Sequence, residues 1–284
     1  MKSISPDQTI AFQGELGAYS HLACSVVFPK MHSLPCTSFE DVFAAVNDGI
    51  AKLAMLPIEN SVAGRVADIH YLMPASKLYI IGEFFERVKH HLLTVSGACL
   101  EDIKFVYSHA HALGQCRNFI RTYGLKTIVT PDTAGAAAEV ALKNDKKIAA
   151  IASKLAGQIY GLDSLAINIE DAKHNTTRFL IMSRDAIQPD PCNAPCITTF
   201  IFLVRNISAA LYKALGGFAT NGINMTKLES YQINGDFSAT QFYVDIEGHP
   251  KDTKVCLALE ELNFFSREVR ILGVYPAHPY RFKI

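Results

Sequence analysis

Residues 175–179, Asn-Thr-Thr-Arg-Phe, place two hydroxyls, a guanidinium and an aromatic ring at the start of an apolar run. The run, residues 179–182, has the length and character of a short buried strand. A guanidinium can hold a carboxylate through two parallel hydrogen bonds, and a threonine hydroxyl can donate or accept one more. A rigid strand would hold Arg178 and Thr176 or Thr177 in register for an anion that carries a hydroxyl. Taken alone, the five residues favour a plainer interpretation, a capped strand start with a surface arginine.

A second polar cluster, Glu59-Asn60-Ser61, follows the apolar run of residues 53–58. Open α/β sheets bind their ligands at the carboxyl ends of strands, just before a helix begins. Asn60 offers both a donor and an acceptor, whereas Ser61 can also cap the next helix. Ligand binding and simple helix capping both remain open for this cluster.

A glycine-containing turn, residues 14–20 (Gly-Glu-Leu-Gly-Ala-Tyr-Ser), joins a strand predicted at residues 9–12 to a helix. Glycines between a strand and a helix N-terminus allow backbone N–H groups to approach an anion. The spacing differs from the dinucleotide-binding fingerprint, so it identifies no nucleotide.

Ser108 and Gln115 flank the start of a helix predicted over residues 112–123. Gln115 lies off the apolar stripe of this helix, where it can face a cleft. His109 and His111 are two residues apart and would not share a helical face. We therefore interpret these histidines as surface or supporting residues rather than metal ligands.

Composition excludes several classes of protein. The 284 residues exceed one typical core, so two or three folding units are expected. Lys and Arg together number 27, as do Asp and Glu, so no net field attracts nucleic acid or an anionic membrane. The seven cysteines lack disulfide or zinc spacing, which fits a reduced cytoplasmic protein without a metal. No apolar run has the length of a membrane span, and the first nine residues contain no signal core.

Predicted strands and helices alternate as far as residue 185, which is typical of open, mainly parallel sheets. Residues 186–195 contain three prolines and no periodicity, and are predicted to be a linker. Beyond it the order becomes strand, helix, two strands around the turn signal Asn-Gly-Asp at residues 234–236, helix and strand. This is a β-α-β-β-α-β unit of the ferredoxin type.

In this order, the motifs resemble those of bacterial prephenate dehydratases along nearly the whole chain. The matching residues are 14–20, Pro57-Ile58-Glu59-Asn60-Ser61, Ala63-Gly64-Arg65-Val66, Ser108-His109, Ala112-Leu113, Gln115-Cys116, and Asn175 with Thr177-Arg178-Phe179. Two departures stand out. The family's Ser-His-Pro-Gln-Ala-Leu is Ser-His-Ala-His-Ala-Leu here, at residues 108–113. In the regulatory unit, the family's Gly-Ala-Leu is Ala-Ala-Leu at residues 209–211, and its Glu-Ser-Arg-Pro is Glu-Ser-Tyr-Gln at residues 229–232.

The resemblance implies an α/β fold with a two-lobed, periplasmic-binding-protein-like catalytic domain and an α+β, ferredoxin-like ACT regulatory domain. The expected bounds are 7–185 for the catalytic domain (lobe 1 at about 7–83 and 168–185, lobe 2 at about 84–167), 186–195 for the linker and 196–284 for the ACT domain.

The reaction implied is the loss of CO2 and the ring hydroxyl from prephenate, giving phenylpyruvate for L-phenylalanine synthesis. Because the new aromatic ring supplies the driving force, no cofactor is expected. The resemblance implies that Thr177 donates a hydrogen bond to the leaving hydroxyl and makes Glu59 a candidate proton source. Asn60, Ser108 and Gln115 would orient the ring through neutral hydrogen bonds.

The remaining substrate contacts implied by the resemblance come from Ala18, Tyr19, Ser20, Ser61, Arg178 and Phe179. Arg178 and the backbone of the glycine-containing turn would bind the side-chain carboxylate. Phe179 would either exclude water or pack within its strand.

Two alternatives remain. An arogenate dehydratase would need a carboxylate near the substrate's amino group, and a non-catalytic amino-acid sensor could use the same fold. The intact Thr177-Arg178-Phe179 argues against the sensor. The expected partners are prephenate, L-phenylalanine and further copies of the chain in a homodimer or homotetramer, with no nucleic acid and no membrane.

The resemblance also implies allosteric phenylalanine binding in the ACT domain. The expected contacts are Ala209, Ala210, Leu211, Asn224, Glu229 and Ser230. The competing interpretation is that this unit only dimerises. The departures strengthen that alternative, because Ala209 adds a methyl group where the backbone should approach the ligand.

Overall fold

The computed structural model of the chain describes residues 5–191, 194–205, 207–233 and 236–282. The chain divides into two units, Met1–Leu72 with Phe84–Leu180, and Met73–Glu83 with Ile181–Ile284. It passes from one unit to the other between Leu72 and Met73, within strand β5 (Tyr79–Arg87) and within strand β11 (Thr176–Ser183). Of the predicted turn 234–236, the first two residues lie outside the described ranges. Within those ranges, no helix is both long and apolar enough to cross a bilayer.

The first sheet has the strand order β2-β1-β3-β11-β5, with a short strand β4 beside β3. Its other strands are β1 (Thr9–Gln13), β2 (His32–Cys36), β3 (Leu53–Asn60) and β4 (Gly64–Arg65). The accompanying helices are α1 (Tyr19–Val27), α2 (Phe39–Asn47) and α3 (Ala67–Leu72). Strand β1 runs parallel to β2 and β3, and its apolar residues are buried between them.

The second sheet has the order β10-β6-β9-β7-β8. Its strands are β6 (His91–Thr94), β7 (Phe105–Ser108), β8 (Lys126–Val129), β9 (Ile148–Ala152) and β10 (Asp163–Ile167). The helices are α4 (Ala110–Gln115), α5 (Arg117–Thr122), α6 (Thr133–Lys143) and α7 (Lys154–Tyr160). Strand β7 is parallel to β8 and β9, but β6 is antiparallel to β9 and β10. The expected mainly parallel pattern is therefore wrong for this sheet. Strand β6 arrives directly from β5 of the first sheet, without a helical crossover, and lies antiparallel between β9 and β10, which helix α7 connects in sequence.

The helix predicted over residues 112–123 is two helices, α4 and α5, separated by Cys116 at φ −122° and ψ 27°. The second begins where the backbone N–H of Asn118 donates to the Asp171 carboxylate, 3.2 Å away. Asp171 is 53 residues further along the chain. A cap supplied from so far away cannot be recognised from local periodicity, which is why the prediction ran the two helices together.

The second unit contains a four-stranded antiparallel sheet with the order β13-β14-β12-β15. Its elements are β12 (Cys196–Val204), α8 (Ala210–Thr220), β13 (Met225–Ile233), β14 (Asp236–Glu247), α9 (Thr253–Phe265) and β15 (Ser266–Pro276). The predicted β-α-β-β-α-β order is confirmed. Phe200, Phe202 and Phe218 are buried between this sheet and the two helices, with the rings of Phe200 and Phe218 stacked 5.8 Å apart.

One guanidinium in the second unit lies between two buried carboxylates. The Nε of Arg281 is 2.6 Å from Oε1 of Glu83, and its Nη2 is 3.6 Å from Oδ2 of Asp245. Both carboxylate side chains have 0% exposure. Asp245 also accepts a hydrogen bond of 2.6 Å from the Thr199 hydroxyl. Because burial strips these carboxylates of water, their charges depend on the guanidinium.

We predict that Arg281→Ala lowers the free energy of unfolding by about 3–5 kcal/mol, because it leaves buried negative charge without its cation. Urea unfolding at neutral pH measures the change. Arg267→Ala is the matched control, since Arg267 belongs to the same unit and is exposed. Equal unfolding midpoints for the two variants would show that the buried cluster adds no stability.

Candidate active site

A cavity of about 510 Å³ lies within the first unit and is bordered by residues of both sheets. Its walls come from the start of α1, the β3–β4 turn, the segment after β5, helix α4, the start of α6 and strand β11. The lining residues include Ala18, Tyr19, Ser20, Asn60, Arg65, Asp68, His90, His109, His111, Gln115, Asp132, Thr177 and Phe179.

Seven of the predicted site residues line this cavity, namely Ala18, Tyr19, Ser20, Asn60, Gln115, Thr177 and Phe179. They come from four separate stretches of sequence, and Asn60 meets Thr177 and Phe179 because β11 returns to lie beside β3 in the first sheet. Four other predicted residues, Glu59, Ser61, Ser108 and Arg178, do not line it.

The Asn60 side chain uses all of its hydrogen-bonding capacity at the cavity wall. Its Oδ1 accepts from the backbone N–H groups of Val62 and Ala63 at 2.9 and 2.8 Å. This orients the amide, so that Nδ2 donates to Oδ1 of Asn175 at 2.8 Å and to Oγ1 of Thr177 at 3.0 Å. An amide nitrogen only donates, so Thr177 is the acceptor in that bond. The Thr177 hydroxyl hydrogen is therefore left to point elsewhere.

The same network continues from Asn175 into the second sheet. Nδ2 of Asn175 donates to Oε1 of Gln115 at 3.0 Å, and Nε2 of His90 lies 2.9 Å from the same oxygen. Since Oε1 can only accept, Nε2 of His90 carries a hydrogen, and the tautomer follows from the network. Because Nδ1 of His90 is then an acceptor, the one Tyr19 hydroxyl hydrogen is shared between Nδ1, 3.0 Å away, and the Lys89 carbonyl oxygen, 2.8 Å away. A continuous chain of neutral hydrogen bonds thus joins Thr177 to Tyr19.

Burial is the main reason that the pKa of His90 lies below its ordinary value, although the hydrogen bond to Gln115 and the charge of Glu170 act in the opposite direction. The Glu170 carboxylate accepts from the backbone N–H of His90 at 2.9 Å. A lowered pKa keeps the imidazole neutral near pH 7, as the tautomer in the network requires.

The expectation that Arg178 holds a substrate carboxylate does not agree with its position. Its guanidinium is 3.0 Å from Oε1 of Glu59 and its side chain is only 4% exposed. Side chains alternate along a strand, so Thr177 and Phe179 face the cavity while Arg178 between them faces away. Glu59 is engaged with this cation and lies outside the cavity lining, so it is misplaced for the role of proton source.

Two predicted hydroxyls are also used elsewhere. The Ser61 hydroxyl donates to the His174 carbonyl oxygen and accepts from the Thr176 N–H, both at 3.0 Å. It thus fastens the β3–β4 turn to the returning strand rather than capping α3. Ser108 is fully buried and donates to the Ile151 carbonyl oxygen at 2.6 Å. Neither hydroxyl is in a position to orient a ligand in the cavity.

The glycine-containing turn packs closely against α7. Gly17 has a φ of +96°, and a Cβ at this position would lie 2.8 Å from the Cα of Ala156 in α7. Its N–H donates to Nδ1 of His21 and its carbonyl accepts from the Ser153 hydroxyl. Both backbone polar groups of Gly17 are therefore already hydrogen-bonded. The N–H groups available to an anion are those of the first turn of α1, at Tyr19 and Ser20.

Six charged or titratable lining residues were not predicted as site residues, namely Arg65, Asp68, His90, His109, His111 and Asp132. Arg65 belongs to the Ala-Gly-Arg-Val motif. The motif itself was the available signal for Arg65. His109, interpreted from sequence as a surface or supporting residue, also lines the cavity and caps α4 by accepting from the N–H of His111.

The residues predicted to bind phenylalanine do not all share a face of the second unit. Ala209 has left-handed backbone angles (φ 61°, ψ 19°) just before α8, Ala210 is buried, and Leu211 packs against the core. Glu229 lies opposite Tyr243 and Ser230 opposite Phe242 across β13 and β14. Neighbouring strand residues point to opposite faces, and Phe242 belongs to the core beneath the helices, so only Ser230 shares the helix face. The Glu229 and Ser230 side chains therefore lie on opposite faces of the sheet, and the phenylalanine site stays a prediction. Asn224 lies just before β13, where its carbonyl accepts from Glu247.

Comparisons with known proteins agree with this arrangement. A family model described as prephenate dehydratase matches residues 10–187. The chain is 51% identical over 277 residues to the bifunctional N-acyl-homoserine lactone acylase/prephenate dehydratase of Komagataeibacter europaeus, covering 98% of this chain and 99% of that relative. It is 40% identical to arogenate dehydratase/prephenate dehydratase 1, chloroplastic, of Arabidopsis thaliana, covering 94% of this chain and 71% of that relative. The crystal structure of an Arthrobacter aurescens prephenate dehydratase in complex with L-Phe superposes with a TM-score of 0.86 at 31% identity, covering 95% of this chain and 90% of that one.

We predict that His90→Gln flattens the pH dependence of stability. The folded-state pKa of His90 is lowered, so between that value and about 6.5 the unfolded chain binds a proton that the folded chain does not. The stability contributed by neutral His90 is present above about pH 6.5 and is lost as pH falls through this window. Glutamine keeps an N–H donor toward Gln115 but does not titrate.

Thermal unfolding midpoints measured from about pH 5 to 7.5 test this prediction. The wild-type midpoint should fall more steeply below pH 6.5 than that of His90→Gln. Some slope will remain in the variant, because burial also lowers the pKa of His21, His91 and His109. His32→Gln, at an exposed histidine, serves as the control and should keep the wild-type slope.

Proposed function

Because the chain belongs to the prephenate dehydratase family, we propose that it converts prephenate into phenylpyruvate, CO2 and water. The observation that carries the proposal is the orientation of the Thr177 hydroxyl, which accepts from Asn60 and keeps its own hydrogen for the cavity. The carbon–carboxylate bond of the ring breaks and its electron pair enters the ring, while the carbon–hydroxyl bond breaks with its electron pair leaving on oxygen, so the ring becomes aromatic. The departing hydroxide takes up a proton and leaves as water.

Thr177 stabilises the leaving oxygen by hydrogen bonding. Negative charge develops on that oxygen as its bond to the ring lengthens, and a fixed donor aimed at it lowers the barrier. The donor must already point into the cavity before the reaction begins, which the Asn60 bond supports. Asn60 is an amide and cannot pass a proton to Thr177, so Thr177 acts as a donor rather than as an acid.

The two substrate carboxylates need different treatment. The ring carboxylate leaves as CO2, so a strong cation beside it would stabilise the substrate more than the transition state. Neutral donors suit this carboxylate. Nε2 of Gln115 is such a donor, and the network does not use it, because His90 and Asn175 both donate to Oε1. The side-chain carboxylate keeps its charge throughout and suits Arg65 together with the N–H groups of the first turn of α1.

Thr177→Ala should lower kcat by about 10²–10³-fold, the usual cost of losing one preorganised donor to a developing oxyanion. Thr177→Ser keeps the hydroxyl and should recover much of the loss. Formation of phenylpyruvate from prephenate, followed by ultraviolet absorbance, gives kcat and KM. Equal rates for the alanine and serine variants would remove the hydroxyl from the mechanism.

Arg65→Ala tests the carboxylate assignment separately. It should raise KM with a smaller change in kcat, because the side-chain carboxylate has the same charge in substrate and transition state. The matched control is Arg121→Ala, an exposed arginine in α5 that does not line the cavity. An unchanged KM for Arg65→Ala would reassign the carboxylate to α1 alone.

An arogenate dehydratase is the alternative within the family, because the Arabidopsis relative is named for both activities. Arogenate carries an ammonium group where prephenate has a keto oxygen. Asp68 and Asp132 border the cavity, although Asp132 already accepts from the Gly135 N–H at 2.6 Å as the cap of α6. Competing prephenate and arogenate in one reaction gives the ratio of kcat/KM values, which decides the preference.

A second candidate function follows from the name of the Komagataeibacter relative, hydrolysis of an N-acyl-homoserine lactone. Breaking that amide needs an attacking oxygen and a base, and the imidazoles of His109 and His111 border the cavity. Release of homoserine lactone from the acylated compound, compared between wild type and His111→Gln, tests this activity. Hydrolysis that is absent from the wild type would exclude it.

Control by phenylalanine belongs to the same proposal, and the Arthrobacter complex with L-Phe supports it. The N–H groups in the first turn of α8 suit the ligand's carboxylate, and Ser230 lies on the helix face of the sheet. Strand β13 is an edge of its sheet, and pairing of two copies along an edge would cover it, so a homodimer or larger homo-oligomer is proposed.

We predict that Ala209→Gly raises the free energy of unfolding by up to about 1 kcal/mol. The left-handed conformation of Ala209 costs about 1–2 kcal/mol for a residue with a Cβ, and the larger entropy of unfolded glycine offsets part of the gain. Ala210→Gly, one residue later and helical, should instead lose about 1 kcal/mol. Urea unfolding of both variants measures the difference, and a loss of stability in Ala209→Gly would contradict the prediction. Calorimetry with phenylalanine then shows whether removing the methyl group also strengthens binding.

A further inference from the structure

A second cavity of the first unit, about 370 Å³ in volume, shares Tyr19 with the cavity described above. It lies where the end of β5 and the segment after it meet α1, α7 and the end of β10. Part of its wall is apolar, formed by Leu22, Leu155 and Ile167. Its volume falls in the range that binds small ligands.

The polar part of this second cavity is dominated by positive charge. Arg87, Lys89 and Lys154 border it, against the single carboxylate of Glu86. In the part of the chain that the structure describes, none of these three cations forms an ion pair with a carboxylate. Three such cations around one small cavity repel one another, and an anion placed among them would relieve that repulsion.

The titratable groups of the wall respond to these cations. Burial raises the pKa of the Glu86 carboxyl, and the Lys89 ammonium opposes the rise. Burial also lowers the pKa of His91, and the Lys154 ammonium lowers it further. Both ammonium groups therefore act on the cavity interior rather than only on the surrounding water.

We propose that this second cavity binds a small organic carboxylate with an apolar body. The carboxylate would lie among Arg87, Lys89 and Lys154, and the apolar body against Leu22, Leu155 and Ile167. A phosphate without an apolar part would leave that wall in contact with water, which favours the organic anion.

Tyr19 connects the proposed site with the candidate active site. Its ring borders both cavities, and its hydroxyl contacts the Lys89 carbonyl oxygen and His90 in the hydrogen-bond chain that ends at Thr177. A ligand that packs against Tyr19 from the second cavity would favour one position of this side chain, and with it one arrangement of the chain. The site is therefore placed to modulate ligand binding in the first cavity.

Titration calorimetry with 3-phenylpropionate tests the proposal by binding alone, so it does not depend on the proposed reaction. This probe has one carboxylate and an aromatic body and can enter either cavity, so variants separate the two events. Lys154→Glu and Arg87→Glu reverse a charge in the second cavity only, and Arg65→Ala removes the guanidinium of the first. Lys147→Glu, an exposed lysine in neither cavity, controls for the change in net charge.

We expect two binding events in the wild type. Lys154→Glu and Arg87→Glu should each weaken the same one of these two events by about tenfold or more, because an attraction is lost and a repulsion is introduced. Arg65→Ala should leave that event unchanged, and the uncharged 3-phenylpropionamide should not show it. The proposal is overturned by a single event that Arg65→Ala weakens, or by affinities in Lys154→Glu and Arg87→Glu equal to that of Lys147→Glu.

Discussion

The candidate site depends on the complete use of one half-buried amide, that of Asn60. Asn60 has two donors and two accepting lone pairs, and all four are occupied by backbone N–H groups, Asn175 and Thr177. A buried polar group that loses a partner costs about 1–3 kcal/mol, so each partner holds the others in place. The turn after β3, the returning strand β11 and the Thr177 hydroxyl are therefore positioned together. Any shift of one would leave donors or acceptors unsatisfied in the wall of the cavity.

The two lobes of the first unit are held together by side-chain hydrogen bonds and by one close approach of the backbone. Asn175 passes the network to Gln115 and His90 in the second sheet, while Gly17 packs directly against Ala156. The two connecting segments are also joined, since Val88 donates to Asn175 and Ile169 to His90 through the backbone. Neutral groups make up the chain from Thr177 to Tyr19, so it can fix orientations without adding a charge where a carboxylate must be lost.

Two largely buried arginines lie outside this hydrogen-bond network. Arg178 is paired with Glu59 on the far side of its strand, and Arg281 is enclosed by Glu83 and Asp245 in the second unit. Removing one partner of a buried ion pair destabilises the folded state, so such arginines serve to stabilise the fold rather than to bind a ligand. The guanidinium that borders the cavity is instead that of Arg65, on a short strand with exposed residues, where a ligand can reach it.

Local pattern was sufficient for much of the fold. The apolar runs predicted β1, β3 and β11, and the element order after residue 195 predicted the antiparallel unit. Side-chain alternation along β11 was also readable, and it already implied that Thr177 and Arg178 cannot face one cavity. Motif order carried Asn60, Gln115 and Thr177 to the right place because these side chains stand at strand or helix ends, where the fold gathers them.

Only the tertiary structure decided which distant residues became the hydrogen-bond and ion-pair partners of the polar side chains. The sequence by itself determined the strands, the helices and the polar residues at their ends, because these follow from periodicity, capping and turn chemistry within a few residues. It could not show that Asp171 would divide a predicted helix, that Ile151 would take the Ser108 hydroxyl, or that Glu59 would engage Arg178. Each of these contacts joins residues 43 to 119 positions apart. Hydrogen bonds and ion pairs depend on distance in space, so the role of a polar side chain was settled only when the folded chain brought its partner within reach.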